Sequence, residues 1–165
     1  AKPSLFSNLL QACIPLKSVS LGKQLHSLIL TSGGSSDKFI SNQLLNLHSK
    51  FGELRAAVAL FDRMPRRNIM SCNITIKVHL EMGNLESAKH LFDEMPDINV
   101  ATCNAMVTGL TKFEMNEDSL ILFSRMNELG FMPDEYSLGS VLKGMCTFGS
   151  LVGRATGSCL CYEMG

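Results

Sequence analysis

Three asparagines, Asn42, Asn73 and Asn104, recur at intervals of 31 residues. An amide neither gives nor takes a proton at neutral pH, but it carries a hydrogen-bond donor and an acceptor on one small group. Repeated on a fixed grid, such groups recognise a ligand or cap helices, since each stands near a predicted helix start. The residue types that do acid–base or metal chemistry are not assembled in this way. Cys159-Leu160-Cys161 is no CxxC, and His26, His48, His79 and His90 share no close spacing with any of the six cysteines. Neither a zinc site nor a disulfide framework is expected, and no catalytic residue stands out. Cys72 and Cys103, also 31 apart, are expected to be small buried apolar residues.

The segments that must position the asparagines repeat with them. Leu60-Phe61-Asp62-Arg63-Met64-Pro65 returns as Leu91-Phe92-Asp93-Glu94-Met95-Pro96, and then as Leu122-Phe123-Ser124-Arg125-Met126. A fixed period of this length is the mark of a repeat array, in which each unit buries its apolar face only against its neighbours. Within one unit, Ile74, Val78 and Met82 lie four apart and predict one apolar helical face. Gly83, on the same grid as Gly52, suits the left-handed end of a helix. A second helix follows, with Leu85, Ala88, Leu91, Phe92 and Met95 on its core side, and Pro96 is expected to stop it. Small Ala57 and Ala88 let the two helices approach closely. The predicted fold is all-α: a right-handed solenoid, or superhelix, of antiparallel helix-turn-helix repeats.

Five units are expected. Residues 2–37 form a first one, with Leu5, Leu9, Leu10 and Cys13 on one helix and Leu21, Leu25, Leu28 and Ile29 on the next; Gly33-Gly34-Ser35-Ser36 reads as a flexible break. Residues 38–68 and 69–99 are two units of equal length. Residues 100–134 form a longer one, with Glu114 in place of the turn glycine. Residues 135–165 form an incomplete last unit, introduced by Asp134 as a helix cap. At 165 residues and 45% hydrophobic the chain has enough apolar material for an ordered core. Its 15 basic and 15 acidic residues cancel, which argues against a broadly basic nucleic-acid binder and leaves only local clustering. No apolar run is long enough to span a membrane. Ala1-Lys2-Pro3-Ser4 opens straight into the repeat pattern, as expected of a piece of a longer protein without its own signal peptide.

These motifs carry a family resemblance along the whole chain. Ser41-Asn42-Gln43-Leu44-Leu45, the two LFDxMP blocks, Asn104-Ala105-Met106-Val107 and Phe131-Met132-Pro133-Asp134-Glu135 resemble the pentatricopeptide repeat family. They are most similar to its plant subclass of alternating long, short and ordinary repeats: 2–37 long, 38–68 and 69–99 short, 100–134 ordinary, 135–165 an atypical long one. Family members bind single-stranded RNA in organelles, one base per repeat, selected by the fifth and last residues of each repeat. The resemblance therefore implies base-selecting pairs Asn42 with Asn68, Asn73 with Asn99, and Asn104 with Asp134, in which the asparagine meets a pyrimidine's Watson–Crick edge. The implied RNA core is pyrimidine, pyrimidine, uracil from 5′ to 3′, the Asn/Asn pairs leaning to cytosine. The second residues, Phe39, Met70, Ala101 and Tyr136, are implied to wedge between bases, with Ala101 offering little area. Lys50 and Lys112 are candidate phosphate contacts. Phe6 with Asp37, and Gly139, match no reliable pairing.

Departures from the family pattern are Cys72 and Cys103, where an aromatic is common, and a last unit two residues short between Cys146 and Gly153-Arg154. Gly153 and Gly157 each cost about 1 kcal/mol in a helix interior, so that end is expected to fray or to be held by another molecule. His79-Leu80-Glu81 matches the HxE of the zinc deaminases that end many related proteins, but no PCxxC follows it. The expected function is positioning of transcripts for C-to-U editing or other processing by a missing domain or an editing-factor partner. The rival is a protein-binding helical scaffold, favoured by zero net charge and ten methionines. No cofactor is expected. Localisation in the mitochondrion, with the chloroplast as the alternative, follows from the resemblance alone, and an exposed apolar end would allow end-to-end self-association.

Overall fold

A computed structural model describes residues 3–32, 37–132, 134–135 and 137–144. All regular structure among them is helical: α1 (Pro3–Leu16), α2 (Val19–Thr31), α3 (Lys38–Lys50), α4 (Leu54–Asp62), α5 (Ile69–Glu81), α6 (Leu85–Asp93), α7 (Val100–Lys112) and α8 (Asn116–Glu128), with 137–144 helical as well. Two compact units divide the chain, Ala1–Thr102 and Cys103–Gly165.

In the first unit α1 pairs with α2, α3 with α4 and α5 with α6, while α1, α3 and α5 pack on one another in sequence. The same turn joins α3 to α4 and α5 to α6. Gly52 (φ 72°) and Gly83 (φ 79°) sit in the left-handed region. One residue further on, the amides of Glu53 and Asn84 donate to the carbonyls of His48 and His79, both at 2.9 Å. This is the Schellman closure, which a Cβ would strain. Glu114 takes the same place between α7 and α8 at φ 61°, with the amide of Met115 donating to Leu110 at 2.9 Å.

A helix with neighbours on both sides has no single apolar stripe. On α5 the buried residues are Ser71, Cys72, Thr75, Ile76, Val78 and Leu80, which wrap most of its circumference. The expected face of Ile74, Val78 and Met82 is therefore corrected: Val78 is fully buried, Ile74 is only partly covered, and Met82, already the C-cap, is 41% exposed. On α1 and α2 the core residues are Phe6, Leu10, Cys13, Leu25 and Ile29, whereas Leu5, Leu9, Leu21 and Leu28 are exposed. Ala57 and Ala88 are both fully buried. Gly22 lies where an added Cβ would come within 2.9 Å of both Leu47 and Phe51, so its lack of a side chain sets the approach of α2 to α3. The second helix of the middle unit ends at Asp93, before Pro96 is reached. Each fully buried Leu or Ile in this core contributes about 1.5–3 kcal/mol.

The second unit shows what the longer repeat adds. α8 has 13 residues where α4 and α6 have 9, so the extra four residues form about one further helical turn. Its core includes Cys103, Met106, Val107, Leu110, Met126 and Val141. The Gly33–Ser36 break and the features expected at Cys146, Gly153 and Gly157 lie outside the described residues.

Candidate nucleic-acid interface

Each base-selecting pair inferred from sequence is joined by a hydrogen bond. Asn42 Nδ2 donates to Asn68 Oδ1 at 3.3 Å, Asn73 Nδ2 to Asn99 Oδ1 at 3.4 Å and Asn104 Nδ2 to Asp134 Oδ2 at 2.7 Å. The capping role and the pairing role are divided between the two members. Asn42, Asn73 and Asn104 stand at the fifth residue of α3, α5 and α7 and cap nothing. The last residues do the capping: Asn68 Oδ1 accepts from the Ser71 amide at 2.9 Å, Asn99 Oδ1 from the Thr102 amide at 2.9 Å, and Asp134 Oδ1 from the Ser137 amide at 2.8 Å.

That division sets the polarity of every pair. A cap oxygen must face the backbone N–H it satisfies, so the partner asparagine must turn its NH2 toward that oxygen. The orientation follows from the backbone, which settles an assignment that amide shape alone leaves open. Asn68, Asn99 and Asp134 are exposed, Asn73 and Asn104 half-buried, and Asn42 only 6% exposed. The amide oxygens of Asn42 and Asn104 are buried with no hydrogen-bond partner.

Three hydroxyls, not foreseen from the sequence, complete the caps. Ser71, Thr102 and Ser137 each stand three residues after a cap. Their signal is Asn-x-x-Ser, Asn-x-x-Thr and Asp-x-x-Ser at the repeat spacing, a variant of the capping box. Ser71 Oγ donates to the Asn68 carbonyl at 2.8 Å. Ser137 Oγ bonds Asp134 Oδ1 at 2.9 Å, and Thr102 Oγ1 lies 2.6 Å from Asn73 Oδ1. The first repeat, 2–37, lacks such a pair: Phe6 is in the core, and Asp37 caps α3 through the Phe39 amide at 2.8 Å. At Gly139 the fifth position has no side chain.

Phe39 and Met70, the residues implied to wedge between bases, are 55% and 61% exposed, and Ala101 is exposed too; Tyr136 lies outside the described residues. Lys50 and Lys112 are exposed in the last turns of α3 and α7, where a cation also complements the helix dipole. Eight residues separate each from its asparagine, about 12 Å along the axis and about 80° around it. The structure thus gathers the amide pairs and leaves the lysines apart from them.

A second polar cluster, also not foreseen, ties α2 to α3 and the start of α4. Glu53 bonds His48 Nδ1 at 2.8 Å and Lys23 Nζ at 2.7 Å, and His48 Nε2 lies 2.9 Å from His26 Nδ1. It borders an open pocket of about 770 Å³. The Lys23 ammonium, and then the His48 bond, hold the Glu53 carboxyl below its ordinary range. Burial, then His48 and Arg63, push His26 down against the opposing pull of Glu53. One period on, Asn84 takes the sequence place of Glu53, and His79 Nδ1 is buried without a partner. Burial likewise raises the thiols of Cys13, Cys72 and Cys103.

Comparison with known proteins agrees with the repeat pattern. The PPR repeat matches residues 39–69 and 70–100, and the PPR repeat family matches 98–147. A pentatricopeptide repeat-containing protein of Arabidopsis thaliana is 60% identical over 141 residues, covering 86% of this chain and 22% of that one. Two others from the same plant are 30% identical, one named as mitochondrial over 90% of this chain and one as chloroplastic over 87%, each over 15% of its own length. The chain therefore spans about a fifth or less of the relatives it matches. The crystal structure of the pentatricopeptide repeat protein PPR10 from maize superposes with a TM-score of 0.73 at 20% identity, covering 94% of this chain and 24% of that one. That likeness is one of fold, an all-α solenoid of helix-turn-helix repeats.

Proposed function

This chain belongs to the pentatricopeptide repeat family, and from that premise we propose that it is a sequence-selective module for single-stranded RNA, positioning organellar transcripts for C-to-U editing or other processing. The observation that carries this is the set of amide pairs. At each repeat step an asparagine is held by the residue that caps the next first helix, with its polarity set by that cap. Such a group recurs once per repeat, as a one-base-per-repeat reader requires. Asn42/Asn68 and Asn73/Asn99 take pyrimidines and Asn104/Asp134 takes uracil; Phe39 and Met70 supply exposed surface for stacking, Ala101 little, and Tyr136 a further ring. Lys50 and Lys112 meet phosphate. The units 2–37, 38–68, 69–99, 100–134 and 135–165 follow the long, short and ordinary pattern of the plant subclass, with chemistry left to another domain or an editing-factor protein. Relatives named for both organelles favour an organelle address, mitochondrion or chloroplast.

Each net hydrogen bond contributes about 1 kcal/mol, so three readers discriminate weakly. The test compares short RNAs with a pyrimidine core ending in U against all-purine cores, at two salt concentrations. A pyrimidine preference abolished by the triple Asn42→Ala, Asn73→Ala, Asn104→Ala change is the expected result. Equal, strongly salt-dependent binding would reduce the function to phosphate attraction. The absence of net charge favours a second reading, a protein-binding scaffold, which a lack of RNA binding even at low salt would support.

A further inference from the structure

Across the junction of the first two repeats, four polar side chains form one continuous chain. Lys23 of α2 pairs with Glu53, the N-cap residue of α4, at 2.7 Å. Glu53 in turn bonds His48 Nδ1 of α3 at 2.8 Å, and His48 Nε2 lies 2.9 Å from His26 Nδ1 of α2. We propose that this chain is a proton-operated latch, which holds the α1–α2 hairpin on the second repeat and releases it when both histidines are charged. A carboxylate can only accept, so His48 carries a proton on Nδ1. In the neutral pair His48 Nε2 is then an acceptor, His26 Nδ1 donates to it, and His26 Nε2 keeps its lone pair. One added proton leaves the chain whole. Held on His26 Nε2 it changes no bond; relayed to His48, it reverses the bond so that His26 Nδ1 accepts. A second proton sets N–H against N–H, with two imidazolium rings 4.9 Å apart between centroids. The bond is then lost and like charges face each other.

The surroundings decide when that happens. His48 is 3% exposed, so water does not replace its lost partner. α1 has no charged side chain to place against α2. From α4 come Glu53 at the start, Arg55 beside it on the pocket wall and Arg63 at the far end. Burial and the His48 charge, with Arg63, hold His26 below its ordinary 6.5 against the pull of Glu53. The latch is therefore closed at neutral pH and is released as pH falls below that value. The next junction is built differently. Gly22, Leu25 and Ile29 match Ala57, Leu60 and Met64 in spacing and burial, which sets Phe61 in the place of His26. With His79 and Asn84 in the places of His48 and Glu53, that junction has no pair of imidazoles to charge.

Hydrogen exchange of the RNA-free chain tests this at about pH 7.5 and about pH 5, the span over which imidazoles titrate. Exchange is read peptide by peptide by mass spectrometry and divided by that of the urea-unfolded chain at the same pH, which removes the pH dependence of exchange itself. Glu53 stays ionised throughout, since its carboxyl is held below the ordinary 4.5. Protection of α1 and α2 is expected to fall by roughly five-fold or more on acidification, the loss of one net hydrogen bond. Protection of α5 and α6 stays level. His26→Gln, whose amide keeps a donor at every pH, and His26→Phe, which installs the residue of the next repeat, are each expected to abolish the fall. Unchanged protection of α1 and α2 in the wild type overturns the latch. So does a fall that persists in either variant, or one shared equally by α5 and α6. Should neither variant fold, NMR titration of the wild type decides: α2 amide shifts that follow the His26 ring protons support the latch, and shifts that ignore them refute it.

Discussion

Asn68 and Asn99 have the same role on paper, yet removing them should cost different amounts. In Asn99→Ala the cap on the Thr102 amide is lost, at about 1 kcal/mol. Asn73 is half-buried and keeps its bond from Thr102, so water satisfies the rest of it. In Asn68→Ala the cap on the Ser71 amide is lost equally, while the backbone N–H of residue 68 keeps its bond to Ser71 Oγ. In addition Asn42, 6% exposed and with its oxygen already unpartnered, loses the only acceptor shown for its NH2. A buried amide left unsatisfied costs a further 1–3 kcal/mol or so, giving roughly 2–4 kcal/mol in all. At about 2–4 °C per kcal/mol for a chain of this size, thermal unfolding by circular dichroism should fall by about 2–4 °C for Asn99→Ala and about 4–16 °C for Asn68→Ala. The decisive control is a double-mutant cycle with Asn42→Leu, which removes the buried amide. In that background Asn68→Ala should cost only the cap. Equal costs in both backgrounds would refute the coupling between the cap and its partner asparagine from which the site's polarity is derived.

Gly22→Ala should destabilise by about 1–3 kcal/mol in urea unfolding, because the new methyl would press on Leu47 and Phe51; a neutral result would mean that α2 shifts freely on α3. Acidification should destabilise the first unit in two stages. The folded-state pKa of His26 lies below its ordinary 6.5, so the unfolded chain takes the proton first and stability falls as pH drops below about that value. The folded-state pKa of Glu53 also lies below its ordinary 4.5, through Lys23 and His48; its contribution is present above that value and is lost as pH falls through the folded pKa. Melting temperature against pH for wild type, His26→Gln and Glu53→Gln checks both stages, and superimposable profiles would exclude the cluster as their source. Lys50→Ala and Lys112→Ala should weaken every RNA alike and lower the salt slope by about one each; a change in base preference would place them at the bases instead. Cys72 and Cys103, buried and with raised thiols, should react with iodoacetamide at neutral pH far more slowly than in the unfolded chain, as mass spectrometry would show.

The 31-residue grid and the glycine turns were legible in the linear sequence because each is a local or periodic property. Left-handed backbone at Gly52 and Gly83 needs only the glycine and its helix end. The division into helices needs only the repeated apolar blocks. The pairing of Asn42 with Asn68 was reachable only through the family resemblance, since 26 residues separate them. Packing decided the rest. The apolar stripe expected on α5 failed because a helix flanked by neighbours buries more than one face, which leaves no single period to read. The His26–His48–Glu53 cluster joins three helices whose order along the chain says nothing of their contact. The hydroxyl protons of Ser71, Thr102 and Ser137 are the finest case. Three residues in equivalent sequence positions bond differently, because a hydroxyl has one proton and its destination depends on tenths of an ångström that only the folded chain determines.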